Sequence, residues 1–177
     1  MVMSALVVAS WTLSAQPATA PEYNIKAGFL TKFINYTTWP ADRFESATSP
    51  VVIGVLGTDP FGDILDKTAA LSRGGRPLEV RRILTPADAA ACHLVFIGKS
   101  ESRHETEWIA ALKQRAVLTV GESGHTIERG GIVEFVSVRN SVGFEASLPA
   151  MEQAALKLSS DMLVHARRVY RESKGQR

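Results

Sequence analysis

"IGVLGTDPFG", Ile53 to Gly62, passes from apolar residues through spaced glycines into Asp-Pro. A strand that ends in a glycine turn and feeds a helix is how many α/β folds hold phosphates, so its surroundings decide both the fold and the first functional question. Val51 to Gly57 is almost wholly apolar, as expected of a strand covered on both faces of a sheet. Asp59 fits a helix N-cap and Pro60 the first helical position, which predicts a helix over 60–71. The glycines at 54, 57 and 62 match neither G-x-G-x-x-G nor G-x-x-x-x-G-K-[ST], and no lysine follows Gly62. An anion there would also meet the Asp59 carboxylate. The stretch therefore reads as a turn closing a central strand, or as an edge that binds a non-phosphate ligand or a partner.

Working outward, further strands are predicted at 78–83, 94–97 ("HLVFIG") and 117–120 ("AVLTVG"), alternating with short helices at 86–91 and 101–115. Such alternation implies βαβ units and a mostly parallel sheet with helices on both faces. Glu22 to Thr38 carries Ile25, Phe29, Phe33 and Tyr36 on one face of a helix that Trp39-Pro40 ends. Residues 132–147 alternate as two antiparallel strands about Arg139-Asn140-Ser141, with Phe135 and Phe144 facing the core. From Pro149, Leu156, Met162, Leu163 and Val169 predict one long final helix. The fold class is thus α/β in a single domain, a mostly parallel sheet closed by an antiparallel hairpin.

The chain has 177 residues, 45% of them hydrophobic and 21% charged, which is the composition of an ordinary globule. Its formal charge of +2 implies no strongly charged partner, and nucleic acid is not expected. Residues 1–20 carry no charge, and an apolar run from Val2 to Leu13 precedes small residues. They read as a secretory leader cut near Ala15 or Ala20, the alternative being a disordered or membrane-tethered N-terminus. The mature domain is then 21–170, with a basic flexible tail over 171–177 and no membrane span, which would need ~18 or more apolar residues.

"GESGH", Gly121 to His125, brings Ser123 near His125, but a nucleophile elbow would need glycine at 125. The histidines 93, 104, 125 and 165 lack metal-ligand spacing, so no metal or other cofactor is expected. Asp59, Asp63 and Asp66 share one helix face, where a solvated acidic first turn accounts for them. Arg73, Arg76, Arg81 and Arg82 form a basic cluster that serves either solubility or an anion. The candidate partner- or ligand-binding residues are Tyr36 and Trp39 at a helix end, Gly57, Thr58, Asp59, Pro60 and Phe61 at the strand end, and Arg76.

In order, "YNIKAGFLTKFINYTTWP", "VVIGVLGTDPFGDILD", "GRPLEVRR", "CHLVFIG", "VLTVGE", "GGIVEFV", "VGFEAS" and "LKLSSDMLVHARRV" resemble the YfiR family of exported bacterial proteins over about Tyr23 to Val169. The resemblance implies a compact Rossmann-like α/β sandwich without catalytic residues. It implies a periplasmic regulator that binds the periplasmic sensor region of an inner-membrane diguanylate cyclase and holds it inactive, until a peptidoglycan-associated outer-membrane lipoprotein sequesters it. The second function class is a periplasmic small-molecule-binding module with a pocket at the carboxyl ends of the strands, near Gly57–Phe61 and Gly98–Ser100. A homodimer is compatible with either. The best-known member has paired cysteines, whereas Cys92 stands alone here and can form no internal disulfide.

Overall fold

The computed structural model describes residues 20–73, 75–138 and 141–172. The leader and most of the basic tail thus lie outside the described residues. Seven strands form one sheet: β2 (Val51–Leu56), β3 (Leu78–Ile83), β4 (Leu94–Ile97), β5 (Leu118–Gly121), β6 (Val133–Val138), β7 (Ser141–Ser147) and β9 (Arg168–Tyr170), in the order β3-β2-β4-β5-β6-β7-β9. Neighbours from β3 to β6 pair in parallel, β7 returns antiparallel to β6, and β9 lies parallel to β7. A two-stranded antiparallel ribbon joins β1 (Thr37–Thr38) to β8 (Lys157–Leu158).

The apolar strands are covered on both faces, as their composition demands. Ile53, Val55, Leu94, Phe96, Leu118 and Val120 face a core shared with helix α1 (Ala20–Tyr36) and α2 (Ile64–Leu71). Their neighbours Val52, Leu56, Val95 and Ile97 face a second core with α3 (Pro86–Ala91) and α4 (Glu105–Leu112). Gly54 lets α3 come close, because a Cβ there would lie 2.8 Å from Cys92 Sγ. Cys92 is free and buried, and burial pushes its thiol up to about 11, so it is protonated at neutral pH. On the α1 side, Phe135 and Phe144 are cross-strand partners packed beneath Phe29 and Phe33, with the Phe33 and Phe144 rings edge-on at 4.9 Å.

The α/β class, the parallel strands and the hairpin are as the sequence predicts, with Val138 opposite Ser141. The hairpin is not the sheet's edge, because β9 pairs beyond it. The long final helix is a misreading: α5 (Leu148–Gln153) is short, and β8, α6 (Ser160–Leu163) and β9 follow it. Ala154 caps α5, Ala155 turns left-handed at φ 54°, and the Leu156 amide bonds back to Met151 O at 3.0 Å. This is the hydrogen-bond pattern that ends many helices at a glycine. Here a strong helix former occupies the position, because burial of Leu156 and Leu158 in the α1-side core overrides its propensity. Helix α4 is likewise shorter than 101–115, since Gln114 and Ala116 both have positive φ.

An alanine at φ 54° carries strain that glycine lacks. Ala155→Gly should therefore stabilise the fold by roughly 0.5–1 kcal/mol. Urea denaturation checks this, and a loss of stability would contradict the strained-cap account.

Candidate functional site

The strand order reverses at β2, which passes through α2 to β3 on one side while β3 returns through α3 to β4 on the other. Ligands of such sheets bind outside the carboxyl ends of the strands at this point. Gly57, at φ 87°, opens the turn after β2, and Thr58 donates its amide to Ser100 Oγ at 2.9 Å. A Cβ on Gly57 would lie 2.2 Å from Ser100 Oγ and 2.8 Å from Glu101 Cγ, so these two side chains occupy the crevice. Glu101 is held there by Trp108 Nε1 at 3.1 Å.

The remaining residues of the turn look inward or sideways. Phe61 is buried, edge-on to Tyr23 at 5.4 Å and to Phe96 at 4.9 Å. Asp59 does not cap the helix, which starts at Ile64 behind Asp63. Its Oδ1 accepts from the Phe61 amide at 2.8 Å, closing a local turn. Its Oδ2 accepts from Arg82 Nε at 2.8 Å, and Arg82 also reaches Asp66 Oδ2 at 2.7 Å and Gly62 O at 2.6 Å. Arg82 thus fastens the turn and α2 to β3, and Pro60 is half-buried within it.

Two buried polar networks at this end escaped the sequence reading. Lys26, 1% exposed, places Nζ 2.5 Å from Glu122 Oε2 and 2.6 Å from Glu22 Oε1. Glu122 Oε1 also accepts from Tyr23 OH and from the Lys99 amide, each at 3.2 Å. Burial opposes the charge on Glu22, yet the hydrogen bond and charge of Lys26 hold its carboxyl below the usual range. Burial, then the Glu122 charge, raises the Tyr23 hydroxyl. The Glu22–Lys26 spacing was visible, but their union with Glu122 joins residues 96 apart. The second network centres on buried Glu105, which accepts from Thr126 Oγ1 and Ser123 Oγ at 2.6 Å each and from Arg129. Ser123 is therefore committed to a carboxylate, while the His125 imidazole pairs with Glu128 at 2.9 Å and only its backbone amide reaches the serine, donating to Oγ at 3.1 Å. Among the described residues no cluster of His, Cys, Asp or Glu is placed to hold a metal.

Tyr36, Trp39 and Arg76 lie at the opposite, amino end of the parallel strands. Tyr36 is exposed, whereas Trp39 is half-buried and donates Nε1 to His93 O at 3.2 Å. Arg76 is a structural clamp: its guanidinium sits 3.8 Å from the Phe44 ring centre and donates to Ser46 O and Ser49 O. Phe44 in turn stacks on His93 at 4.7 Å. His93 accepts the Val52 amide at Nδ1 and donates Nε2 to Arg43 O, which fixes the neutral tautomer. Burial lowers its pKa. Beside this stack a groove of about 320 Å³ is lined by Ile34, Thr38, Trp39, Phe44 and Arg76. The β1–β8 ribbon contributes Thr38 to that groove and Leu158 to a larger recess of about 570 Å³, lined also by Leu148, Met151, Leu156, Glu152 and Lys157. The predicted site residues thus divide between two ends of the sheet. Gly57 to Phe61 build a closed turn, and Tyr36, Trp39 and Arg76 border an open surface.

These features define an α/β domain with its polar groups turned inward at the carboxyl end and its recesses at the amino end. Residues 23–167 match the YfiR/HmsC-like family, and the chain belongs to that family, a regulatory rather than catalytic one. Among solved structures it is similar to a conserved domain protein from Vibrio cholerae O1 biovar El Tor, with TM-score 0.57, 14% identity, and coverage of 83% of this chain and 60% of that one. It is also similar to the ABC domain from Streptococcus pneumonia in complex with L-Trp, with TM-score 0.54, 8% identity and coverage of 83% and 60%. The chain thus spans 60% of the length of each, and identities this low show the fold alone. No helix among the described residues is long and apolar enough to cross a membrane.

Replacing Lys26 by Met leaves Glu122 buried without its cation and should cost about 3–5 kcal/mol, measured by denaturant titration. Lys26→Met with Glu122→Leu should recover much of that loss. His93 yields a separate signature. Its folded pKa lies below its usual 6.5, so the unfolded chain binds the extra proton, and stability, complete above about pH 6.5, falls as the pH drops toward the folded value. His93→Gln should abolish that slope and leave the Glu22-dependent loss below about pH 4.5 in place. Melting temperatures measured from about pH 2.5 to about pH 8 check both windows.

Proposed function

We propose that the protein is a periplasmic regulator that binds the periplasmic sensor region of an inner-membrane diguanylate cyclase and represses cyclic di-GMP synthesis by binding, without chemistry of its own. The observation that carries this reading is the match of residues 23–167 to a family of regulatory proteins. The geometry is in keeping with it: Ser100 and Glu101 fill the crevice where an α/β enzyme would seat its substrate, and an apolar recess opens at the other end. On this reading residues 1–20 are an export leader and 171–177 a flexible tail. A peptidoglycan-associated lipoprotein is the partner that would withdraw the repressor.

The recognition surface is the amino end, where exposed Tyr36 and Lys157 flank the ribbon and its apolar recess. Partially exposed aromatic side chains beside an apolar pocket are the usual anchors of an interface. The Gly57–Phe61 turn is a secondary part of the surface at most, because only Thr58 is exposed in it.

One observation favours a second reading. A recess of about 570 Å³ is within the size range of small-molecule sites, so the same place would take an apolar solute in a periplasmic binding module.

Deleting the gene in its host should raise cyclic di-GMP, and the rise should vanish when the partner cyclase is deleted too. Tyr36→Ser with Lys157→Glu should weaken binding of the purified sensor region by about tenfold or more, with melting unchanged. Unchanged cyclic di-GMP after deletion, together with tight binding of a small solute, would replace the first reading by the second.

A further inference from the structure

The segment from Pro40 to Pro50 lies over the amino end of the sheet without joining a strand, and only the short turn Ala41–Arg43 is helical. Among the described residues its hydrogen bonds to the rest of the molecule run through three side chains. Arg43 donates to Cys92 O at 2.7 Å and to Ala90 O at 3.3 Å, and Arg76 donates to Ser46 O at 2.6 Å and to Ser49 O at 3.0 Å. His93 donates Nε2 to Arg43 O at 3.2 Å and accepts the Val52 amide at Nδ1 at 3.1 Å, so its ring joins the segment to β2. Phe44 lies flat on that ring, with centres 4.7 Å apart and planes 10° apart.

His93 holds this joint only while it is neutral. One ring nitrogen must accept and the other must donate, and a second proton turns both into donors. The added proton would face the Val52 N–H, and the new charge would be buried. The charged groups that bear on the ring are Arg43 from the helical turn and Arg76 from the approach to β3, both of the same sign as that charge. Asp42 and Glu45 on the segment are exposed and do not bond to the ring. Arg81, Asp88 and Glu79 bear on the neighbouring Cys92 thiol, which is itself protonated. From β2, β5 and the Trp39 side the residue meets only uncharged groups, Val52, Leu118 and Trp39.

Release has a compensation at the same place. Thr37 Oγ1 and Arg43 Nε are buried and have no partner among the described residues, and each regains water when the segment lifts. Thr37 and Phe44 both line the amino-end groove of about 320 Å³, so lifting Phe44 removes one of its walls.

We propose that His93 is an acid latch: when its ring takes a second proton, segment 40–50 leaves the sheet and the amino-end groove opens. The latch is a property of the fold and does not depend on the proposed partner. Thr38 joins the groove to the β1–β8 ribbon, so acid reshapes the surface assigned to that partner.

Amide exchange resolved by NMR, at about pH 7.5 and about pH 5 and corrected for the intrinsic rate, tests the latch. Protection of the Phe44, Ser49 and Val52 amides should fall by about tenfold or more on acidification while the β4 amides stay protected. The midpoint should lie below the usual histidine value of 6.5. His93→Gln, whose side-chain amide can accept from Val52 and donate to Arg43 O without titrating, should keep the segment protected at both pH values. Phe44→Ala, which removes the stacked ring, should leave the Ser49 amide unprotected at both. A segment that stays protected at about pH 5, a loss shared equally by β4, the same loss in His93→Gln, or a protected Ser49 amide in Phe44→Ala would each overturn the proposal.

Discussion

The placement of α1 rests on one buried ion pair. Lys26 is taken out of water on the first turns of the helix and meets Glu122 at the end of β5, with Glu22 as a second acceptor. Removing charges from water costs several kcal/mol each, so such a pair contributes less to net stability than its short distances imply. What it fixes is position: a wrong register of α1 would strand a buried ammonium and a buried carboxylate. With that end held, and the other tied by the β1–β8 ribbon, Phe29 and Phe33 are set over Phe135 and Phe144. The same pair has a functional consequence. Its carboxylate also binds the Lys99 amide, so the helix, the β4 loop and β5 are drawn together where an α/β enzyme would leave room for substrate.

The sheet was legible because burial on both faces writes itself into composition. Val51–Leu56 and Leu94–Ile97 are apolar at nearly every position and rich in β-branched residues between turn signals, which sets them apart from a half-exposed strand or a surface helix. The segment after β7 was not legible, for an equally physical reason. Ala154 and Ala155 are among the best helix formers, and Leu156, Met162 and Leu163 fall at nearly helical spacing. The break at Ala155 is imposed by contacts with α1 and the sheet, far away in sequence, and by nothing local. At Asp59 the chemistry was read correctly but attached to the wrong element, since a carboxylate that caps a helix and one that closes a turn look alike until the backbone is known.

Which of the candidate residues are structural was not legible. Tyr36, Trp39 and Arg76 do lie at one end, but the types could not reveal their division of labour: Trp39 and Arg76 hold the Phe44 loop over His93, and Tyr36 remains exposed. Gly57 carried a true signal of close approach, yet the approaching group is Ser100 of the same chain rather than a ligand. The Glu105 network had no signal, because its members are scattered over 105–129 and each is an ordinary surface residue by composition.

The surfaces that remain open are separated by the sheet itself. The apolar recess adjoins α5 and β8, which follow β7, whereas β3 is the edge five places away in the order β3-β2-β4-β5-β6-β7. At a strand spacing of about 4.8 Å this is roughly 24 Å, too far for one small interface to cover both. With Ser100 and Glu101 filling the crevice at the carboxyl end, the amino-end recess is left as the open apolar surface, across the width of the sheet from β3.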